Sequence, residues 1–133
     1  MSEYIKPLPK PSPTSRPFWE AAKRHELTLQ RCGGCRALVF YPRERCPQCF
    51  SDQLSWERVS GRGKVYSYTV VRRASTRSFA DAPYVLAIVE LDEGARMTTN
   101  VVAPPESVKV GMPVTVVFDD VTPDHTLVKF KPA

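Results

Sequence analysis

Two closely spaced cysteine pairs constrain this chain of 133 residues more than any other feature. The pairs are Cys32-Gly-Gly-Cys35 and Cys46-Pro-Gln-Cys49, and together they contain all four cysteines of the sequence. A two-residue gap lets both sulfurs of one tight turn reach the same ion at ~2.3 Å, and two such turns complete a tetrahedron. Because four thiolates leave no open coordination position, the pattern predicts a structural zinc site rather than a catalytic one.

The cysteine pattern allows two other interpretations, an iron site and a redox couple. Iron in a rubredoxin-like site has the same four ligands, so the spacing leaves iron open as the metal. A redox couple normally uses one CxxC pair near a βαβ pattern, whereas this sequence has two pairs and no such pattern. A metal site is therefore the prediction, with zinc as the expected ion.

The N-terminal segment bears on the cellular compartment. The stretch MSEYIKPLPKPSP has charges and prolines where a secretory signal needs an apolar run, and no other stretch is long and apolar enough to span a membrane. We therefore expect a cytoplasmic protein with no membrane partner. In a reducing compartment, paired cysteines bind metal more often than they form disulfides, which agrees with the predicted metal site.

Proline content and hydrophobic pattern divide the chain into three predicted parts. Residues 1–13 are proline-rich without apolar periodicity, which predicts a flexible arm. Residues 14–59 are predicted to hold a helix and the zinc ribbon. Residues 60–133 are rich in β-branched and aromatic residues, which favours a β-barrel.

A short helix is predicted directly after the arm. Ser15 is expected to cap it, and Pro17 suits its first turn. One face of this helix is predicted to carry Phe18, Ala21, Ala22 and His25. Trp19 lies beside that face. Phe18 and Trp19 are therefore the candidates for a partner interface, with packing of the helix on its own barrel as the alternative.

Strand patterns account for most of the remaining sequence. Short strands are predicted near the cysteines over residues 27–32, 37–41 and 54–59. Five longer strands are predicted over residues 61–73, 85–94, 95–103, 113–120 and 126–132. With no long helix between them, a closed antiparallel barrel is the architecture that hides their edges. The fold class is thus mainly β.

The distribution of charge leaves two classes of ligand open. Residues 1–80 contain fifteen Lys or Arg and six Asp or Glu, whereas residues 81–133 contain four and eight. The basic first part is suited to phosphates on nucleic acid or on coenzyme A, or to an acidic partner surface. Single-stranded nucleic acid needs aromatic residues on the central barrel strands, and residues 85–103 contain no Phe, Tyr or Trp. Nucleic-acid binding is therefore the alternative function rather than the expected one.

Tyrosines and acidic residues refine that alternative. Tyr66 and Tyr68 share a face of the first barrel strand, and we interpret them as barrel packing. Glu90, Asp92 and Glu93 flank a central strand and disfavour a polyanion there. Catalysis is not predicted either, because the sequence has two histidines, no GxSxG or HExxH motif and no glycine-rich phosphate loop.

A series of ordered motifs resembles one known family. The motifs are CGGC, YPRERCPQC, SGRGKVYSYTVV, APYVLAIVELDEGARMTTNVV, VGMPVTVVF and a terminal FKP. They are similar to the family catalogued as domain of unknown function thirty-five, over about residues 18–132. The resemblance implies an N-terminal helix, a rubredoxin-like zinc ribbon and a five-stranded OB-fold barrel. Family members usually place Gly after the second cysteine of each turn, whereas Arg36 and Phe50 stand there in this sequence.

The resemblance also implies a function. Members of the family are encoded beside thiolase-like enzymes or hot-dog-fold hydratases of acyl-CoA metabolism, and they often form complexes with them. This implies a non-catalytic accessory subunit that binds acyl-CoA or scaffolds the enzyme. The candidate phosphate-binding residues are Arg43, Arg45, Arg62, Lys64, Arg72 and Arg73, with Arg43 first. Phe79 and Tyr84 are expected to line an apolar barrel mouth that admits the pantetheine arm or the acyl chain.

Overall fold

A computed structural model describes residues 6–73 and 82–133 of the chain. Phe79 lies outside these described residues. The first part contains helix α1 (Arg16–Lys23) and strands β1 (Thr28–Cys32), β2 (Leu38–Val39) and β3 (Leu54–Arg58). The second part contains β4 (Arg62–Val71), β5 (Tyr84–Leu91), β6 (Arg96–Val101), β7 (Pro113–Thr122) and β8 (His125–Pro132). A short 3₁₀ turn, Pro105–Ser107, precedes β7.

Helix α1 forms where it was predicted but ends earlier. Pro17 lies in its first turn, and Phe18, Ala21 and Ala22 are buried. The prediction that the Ser15 side chain caps the helix is wrong, because that hydroxyl instead accepts a hydrogen bond from the Ser12 backbone N–H at 2.9 Å. His25 was predicted to share the buried face. The helix ends before it, and His25 adopts a left-handed φ of 60° at the surface.

The cysteine-bearing segment folds into a three-stranded antiparallel sheet in the order β2-β1-β3. Gln30 at the centre of β1 faces Val39 on one side and Trp56 on the other. The strand predicted over residues 37–41 is shorter in the structure and ends at Val39. Beyond it, Phe40 and Tyr41 turn towards α1 and pack edge-on against Phe18, with ring centroids 5.9 and 6.1 Å away.

The five predicted barrel strands are confirmed, and they close into a barrel in the order β4-β5-β6-β8-β7. Strand β5 alternates as a half-buried strand should, with Val85, Ala87, Val89 and Leu91 facing the interior. Leu86 and Ile88 face outward. The chain thus has the mainly β fold of a zinc ribbon and an OB-type barrel with an N-terminal helix.

One side of the barrel is less tightly paired than the others. Strands β5 and β6 pair over six residues, whereas β6 and β8 run parallel and meet in the single register pair Val101↔Phe130. The Thr99 hydroxyl bridges the gap by donating to the Val128 carbonyl at 3.0 Å. We call this gap between β6 and β8 the seam. Helix α1 packs against β8 at the seam.

The first barrel strand shows why glycine was needed at its start. A Cβ at Gly63 would overlap with the backbone carbonyl of Glu90 on β5, so only glycine permits this strand approach. The pairing register then shifts between Val65 and Ser67, which forms a bulge. The expectation that Tyr66 and Tyr68 share a face and pack in the barrel is wrong. Both side chains are exposed, and beyond the bulge Tyr68 pairs with the inward-facing Ala87, whereas Tyr66 lies under the Arg96 guanidinium, 3.9 Å from its ring centroid.

The ribbon and the barrel share one hydrophobic core. Phe18 of α1 and Leu27 and Leu29 of the ribbon belong to the same buried cluster as Val85 and Phe130 of the barrel. Ribbon and barrel therefore pack as one unit. Within residues 6–73 and 82–133, no helix has the length and apolar content that a membrane crossing requires.

Candidate metal centre and adjoining trough

The four cysteines converge at one point of the ribbon. Cys32 and Cys46 are buried, while Cys35 and Cys49 are exposed. The sulfurs of Cys32 and Cys49 lie 3.6 Å apart, as do those of Cys35 and Cys46, and all four lie within 4.8 Å of one another. A tetrahedral ion with ~2.3 Å bonds to sulfur separates its ligands by ~3.8 Å, so the arrangement fits a bound zinc ion.

The backbone of each cysteine turn supports a thiolate. The N–H groups of Gly34 and Cys35 point at the Cys32 sulfur, at 3.3 and 3.4 Å, and the N–H of Gln48 points at the Cys46 sulfur at 3.3 Å. Such hydrogen bonds favour the charged form of the acceptor. The four sulfurs would therefore hold a zinc ion that cross-links the two turns without an open position for substrate.

The pKa values follow from these bonds. The Cys35 N–H is the main reason that the pKa of Cys32 is lowered to about 6. The Cys49 N–H is the main reason that the pKa of Cys46 is also lowered. The Ala37 N–H acts in the same direction on Cys35, but desolvation and the neighbouring sulfurs outweigh it and raise that pKa to about 11. The buried cysteine of each turn thus has a lowered thiol pKa.

Arg36 and Phe50 occupy equivalent positions after the two turns. Both adopt left-handed backbone conformations, with φ of 69° and 65°. Each donates its backbone N–H to the carbonyl of the first cysteine of its turn, Arg36 to Cys32 and Phe50 to Cys46, both at 2.9 Å. The turn geometry is therefore retained although neither residue is glycine.

Gln30 fixes the loop that carries Arg43, and the sequence reasoning did not identify it. Its buried side chain donates to the Arg43 carbonyl at 2.9 Å and accepts from the Arg43 N–H at 2.8 Å. The available signal was a polar residue directly after Leu27 and Leu29 in a ribbon strand. The Arg43 side chain itself is exposed, and it has no ion pair within the described part of the chain.

A surface trough runs along the seam where ribbon, helix and barrel meet. Its ribbon end is a groove of about 410 Å³ that includes Trp19, Tyr41, Leu86 and Met97. Its mouth end is a groove of about 380 Å³ that includes Tyr84. Three residues line both grooves and so connect them: Asn100, Leu127 and Lys129.

Aromatic contacts hold the wall of the ribbon end in place. The rings of Phe18 and Trp19 meet edge-on, with centroids 5.0 Å apart and planes at 88°. The Trp19 indole N–H donates to the Tyr41 hydroxyl at 3.1 Å. Phe18 is only 3% exposed, so it supports the trough from beneath rather than offering a surface to a partner. Trp19 is half-buried and lines the trough.

The predicted basic residues do not form one cluster. Arg62 and Lys64 lie at the start of β4, where they face acidic residues: Arg62 is 3.9 Å from Asp92, and Lys64 is 3.7 Å from Glu90. Arg45 lies in the ribbon, with its guanidinium 5.0 Å above the exposed Phe50 ring.

Arg72 and Arg73 lie at the opposite end of β4. They follow Val71, which pairs with Tyr84 at the mouth end of the trough. Strand β4 has ten residues, so its two ends are separated by roughly 30 Å. Both arginines are exposed and have no ion pair among the residues that the structure describes. Tyr84 itself lines the mouth end together with polar residues such as Lys6 and Asn100, and its role in binding a ligand stays a prediction.

An exposed apolar strip adjoins the trough and was not predicted. It consists of Leu86 and Ile88 on β5, which are 40% and 37% exposed, and of Tyr66 at the bulge of β4, which is 44% exposed. Leu86 belongs to both the strip and the ribbon end of the trough. The continuous apolar run VLAIVEL was the available signal, because a strand with one solvated face would alternate.

The combination of a four-cysteine ribbon, a five-stranded barrel and a helix packed on the barrel seam defines a class of zinc-ribbon and OB-fold proteins. Residues 19–55 match the family described as the ChsH2 rubredoxin-like zinc ribbon domain, and residues 56–119 match the ChsH2 C-terminal OB-fold domain. The chain belongs to this family of DUF35 proteins. The ribbon is thus a zinc ribbon, and Cys32, Cys35, Cys46 and Cys49 are positioned to bind the metal.

Two relatives represent the range of proteins that this chain resembles. It is 39% identical over 122 residues to a DUF35 domain-containing scaffold protein of Methanocaldococcus jannaschii, covering 90% of this chain and 86% of the relative. It is 42% identical over 118 residues to a probable enoyl-CoA hydratase alpha subunit of Thermomonospora curvata. That match covers 87% of this chain but only 37% of the longer relative.

Solved structures give the same assignment. A chain of the structure described as Ltp2-ChsH2(DUF35) aldolase superposes with a TM-score of 0.83 at 38% identity, over 93% of this chain and 98% of that one. A DUF35 protein of unknown function from Sulfolobus solfataricus superposes with a TM-score of 0.67 at 17% identity, over 92% of this chain and 87% of that one. The second similarity concerns the fold alone.

Proposed function

We propose that this chain is a non-catalytic accessory subunit that binds an acyl-CoA thioester in the trough and serves an enzyme of acyl-CoA metabolism. The observation that carries the proposal is the trough itself, two connected grooves along an incompletely paired barrel seam, mainly apolar at the ribbon end and mixed polar and apolar at the mouth end. The names of relatives support the choice of ligand, since they include a hydratase alpha subunit and scaffold proteins.

The lining of the trough argues that the chemistry belongs to a partner. Among the described residues that line it, none is a histidine, a cysteine or a carboxylate. The two histidines are engaged elsewhere: His25 lies 2.9 Å from Asp120, and His125 lies 2.9 Å from the Thr122 hydroxyl. The titratable residues of the lining are lysines and tyrosines, which serve as general acids or bases less often than histidine, and Lys129 is paired with Asp119 at 2.6 Å. This chain would therefore hold the thioester, and the enzyme would transform it.

The basic residues contribute unequally to this proposal. Arg43, Arg72 and Arg73 are exposed without an ion pair in the described part of the chain, so their guanidinium groups are available to phosphates. Arg62 and Lys64 face Asp92 and Glu90, and a phosphate would have to compete with these carboxylates. Arg45 is held over Phe50 in the ribbon.

The apolar strip supplies the surface for the partner enzyme. Exposed aromatic and aliphatic residues at a protein surface mark protein interaction sites when they are contiguous. The strip adjoins the ribbon end of the trough through Leu86, so an enzyme docked on it would face the bound thioester. We propose a thiolase-like enzyme or a hot-dog-fold hydratase as this partner.

A single-tryptophan reporter tests the ligand. The chain has two tryptophans, and Trp56→Phe leaves Trp19 in the trough as the only one. Octanoyl-CoA is expected to quench the Trp19 emission of this protein saturably. Adding Tyr41→Ala should weaken binding, so that half-saturation requires more octanoyl-CoA. Tyr66→Ala is the matched control, because Tyr66 is as exposed as Tyr41 but lies outside the trough. Unchanged emission at millimolar ligand would rule out the acyl-CoA site.

The partner is tested by affinity purification of the tagged full chain from its native cytosol, with co-purifying proteins identified by mass spectrometry. A thiolase-like or hydratase subunit in near-equal amount is expected.

The alternative, single-stranded nucleic acid, is tested by titrating oligonucleotides at several salt concentrations, where true binding weakens steeply with salt. We expect no such binding, because Glu90 lies 3.7 Å from Lys64 and 3.1 Å from Arg96 on the outer barrel face.

A further inference from the structure

We propose that the trough binds acyl-CoA in one direction, with the acyl chain at the ribbon end and the nucleotide at the mouth end. This orientation rests on the proposed function, and it assigns separate residues to two separate specificities. Leu86 and Tyr41 would set the preference for the acyl chain. Arg72 and Arg73 would set the preference for the nucleotide phosphates.

The ribbon end has the chemistry of an acyl pocket. Its walls are aromatic and aliphatic, with Trp19, Tyr41, Leu86 and Met97 around a groove of about 410 Å³. Leu86 is 40% exposed, so the pocket contains apolar surface that a ligand can still remove from water. Among the described residues that line this end, the one cation is Lys129, which lies 2.6 Å from Asp119, so a phosphate placed here would gain few partners for the hydration that it loses.

The mouth end has the cations. Lys6 lines it, Lys129 lines both ends of the trough, and Arg72 and Arg73 follow the residue that pairs with Tyr84. Lys129 is held 2.6 Å from Asp119, which partly compensates its charge. Arg72 and Arg73 would therefore be the main phosphate ligands at this end. Their guanidinium groups can each donate two hydrogen bonds to a phosphate, which a lysine cannot do in the same planar geometry.

The seam connects the two ends and suits the arm between nucleotide and thioester. Strand β6 meets β8 in only one register pair, Val101↔Phe130, so the edge of β6 before that pair is not covered by β8. From Met97 to Val101 this edge extends over roughly 13 Å. A pantetheine arm is an extended chain with two amide groups, and an exposed strand edge binds extended amide chains by main-chain hydrogen bonds.

The opposite direction fits less well. It would place the phosphates beside Leu86 and Met97, with Arg43 two residues beyond Tyr41 as the predicted basic residue at that end. It would also place the apolar chain beside Arg72 and Arg73. In this direction the phosphates would contact apolar side chains and the acyl chain would contact charged ones. The charge distribution therefore favours the direction proposed above.

Four ligands and three variants test the orientation on the zinc-loaded full chain. Octanoyl-CoA against acetyl-CoA measures the acyl preference, and CoA against dephospho-CoA measures the preference for the 3′-phosphate. We expect Leu86→Ala to reduce the acyl preference about tenfold while leaving the phosphate preference unchanged. The double variant Arg72→Ala with Arg73→Ala should reduce the phosphate preference about tenfold and leave the acyl preference unchanged.

Arg43→Ala is the matched control, because Arg43 is an exposed arginine at the other end of the trough. Loss of the phosphate preference in Arg43→Ala, with none in the double variant, would overturn the orientation while leaving the proposed function intact. If the wild-type chain binds no acyl-CoA, the proposed function fails and the orientation fails with it. Zinc content and circular dichroism of each variant show that a changed preference does not come from misfolding.

Discussion

At the scale of single residues, the two cysteine turns tolerate side chains where glycine would cost less. Arg36 and Phe50 have φ of 69° and 65°. A left-handed conformation costs roughly 1–2 kcal/mol for a residue with a Cβ. The turns retain it because each residue must donate its N–H to the carbonyl of the first cysteine at 2.9 Å while the sulfurs converge. Formation of the metal site thus determines the backbone of the residue that follows it.

Arg36→Gly is expected to stabilise the protein by about 1 kcal/mol, because relief of the left-handed strain exceeds the added flexibility of the unfolded chain. The free energy of unfolding, measured by denaturant titration at a fixed free zinc concentration, checks this. Arg43→Gly is the matched control, because Arg43 is not among the positive-φ residues. This variant should be less stable than the wild type by about 0.5–1 kcal/mol. A loss of stability in both variants would contradict the strain argument.

The residues that could be predicted are those whose role follows from local spacing. The four metal ligands follow from two CxxC pairs, and the structure brings all four together. Gln30 could not be found in the same way, because its role depends on the Arg43 backbone thirteen residues away. Phe18 was placed on the correct helical face, but its burial depends on Phe40 and on the barrel seam, which helical periodicity does not describe.

At the scale of elements, one carboxylate joins three segments. Asp120 on β7 lies 2.9 Å from the His25 ring beyond α1, and it accepts a hydrogen bond from the Thr126 hydroxyl on β8. The His25 ring also stacks on Phe118, with centroids 5.1 Å apart and planes at 11°. This contact attaches the end of α1 to the β7–β8 hairpin, and so helps to position Trp19 at the trough.

Asp120→Asn is expected to destabilise the protein at neutral pH and to do so less in acid. The Thr126 hydroxyl, and next the His25 ring, lower the pKa of Asp120 below 3.8. Because the folded pKa is the lower one, the stabilisation is present above pH 3.8 and is lost as the pH falls through the folded pKa. The difference in free energy of unfolding between wild type and variant, measured from pH 7 to pH 3, should therefore shrink below about pH 4.

Asp124→Asn serves as the comparison for that series. The Asp124 side chain is 86% exposed and lies 4.0 Å from Lys23, so its removal should change the stability little at any pH. The comparison is restricted to pH values at which measured zinc content shows that all three proteins remain loaded, because loss of zinc is itself expected to unfold the chain. A difference for Asp120→Asn that stays constant down to pH 3 would contradict a role for its charge.

Helices and strands could be predicted where the sequence pattern that specifies them lies within the element itself. The apolar, β-branched run of β5 and the glycines at the start of β4 predict strands that the structure contains. The short β2 and the early end of α1 were not predictable, because aromatic packing of Phe40 and the left-handed His25 depend on contacts between elements. The seam was not predictable either. It depends on how far β6 and β8 pair, and these strands are separated along the chain by β7.

At the scale of the whole molecule, the ribbon and the barrel depend on each other. Leu27 and Leu29 extend from the ribbon into the core that contains Phe130. The trough exists only while both parts are in place, since Tyr41 comes from the ribbon segment and Leu86 from the barrel. The structural zinc ion would therefore act on ligand binding at a distance, by holding one wall of the trough.

Removal of zinc is accordingly expected to unfold the chain in one transition. A structural zinc site contributes about 10–16 kcal/mol of binding free energy, which is comparable to the whole stability of a domain. Both tryptophans, Trp19 and Trp56, lie in the helix and ribbon part, so their emission reports on that part, whereas far-ultraviolet circular dichroism is dominated by the barrel strands. During titration with a chelator, the two signals should change together as one zinc per chain is released.

The shared core is the reason for expecting a single transition. Without the ribbon, Leu27, Leu29 and Phe18 would leave the barrel core, and α1 would lose its packing on β8 beside the seam. Cys46→Ser should reproduce the chelated state, because it removes a buried ligand, and added zinc should restore only the wild-type chain. A red shift of the tryptophan emission with unchanged strand dichroism would show instead that the barrel is stable alone. In that case, the trough would lose its ribbon wall while keeping its mouth end, and phosphate preference would survive without acyl preference.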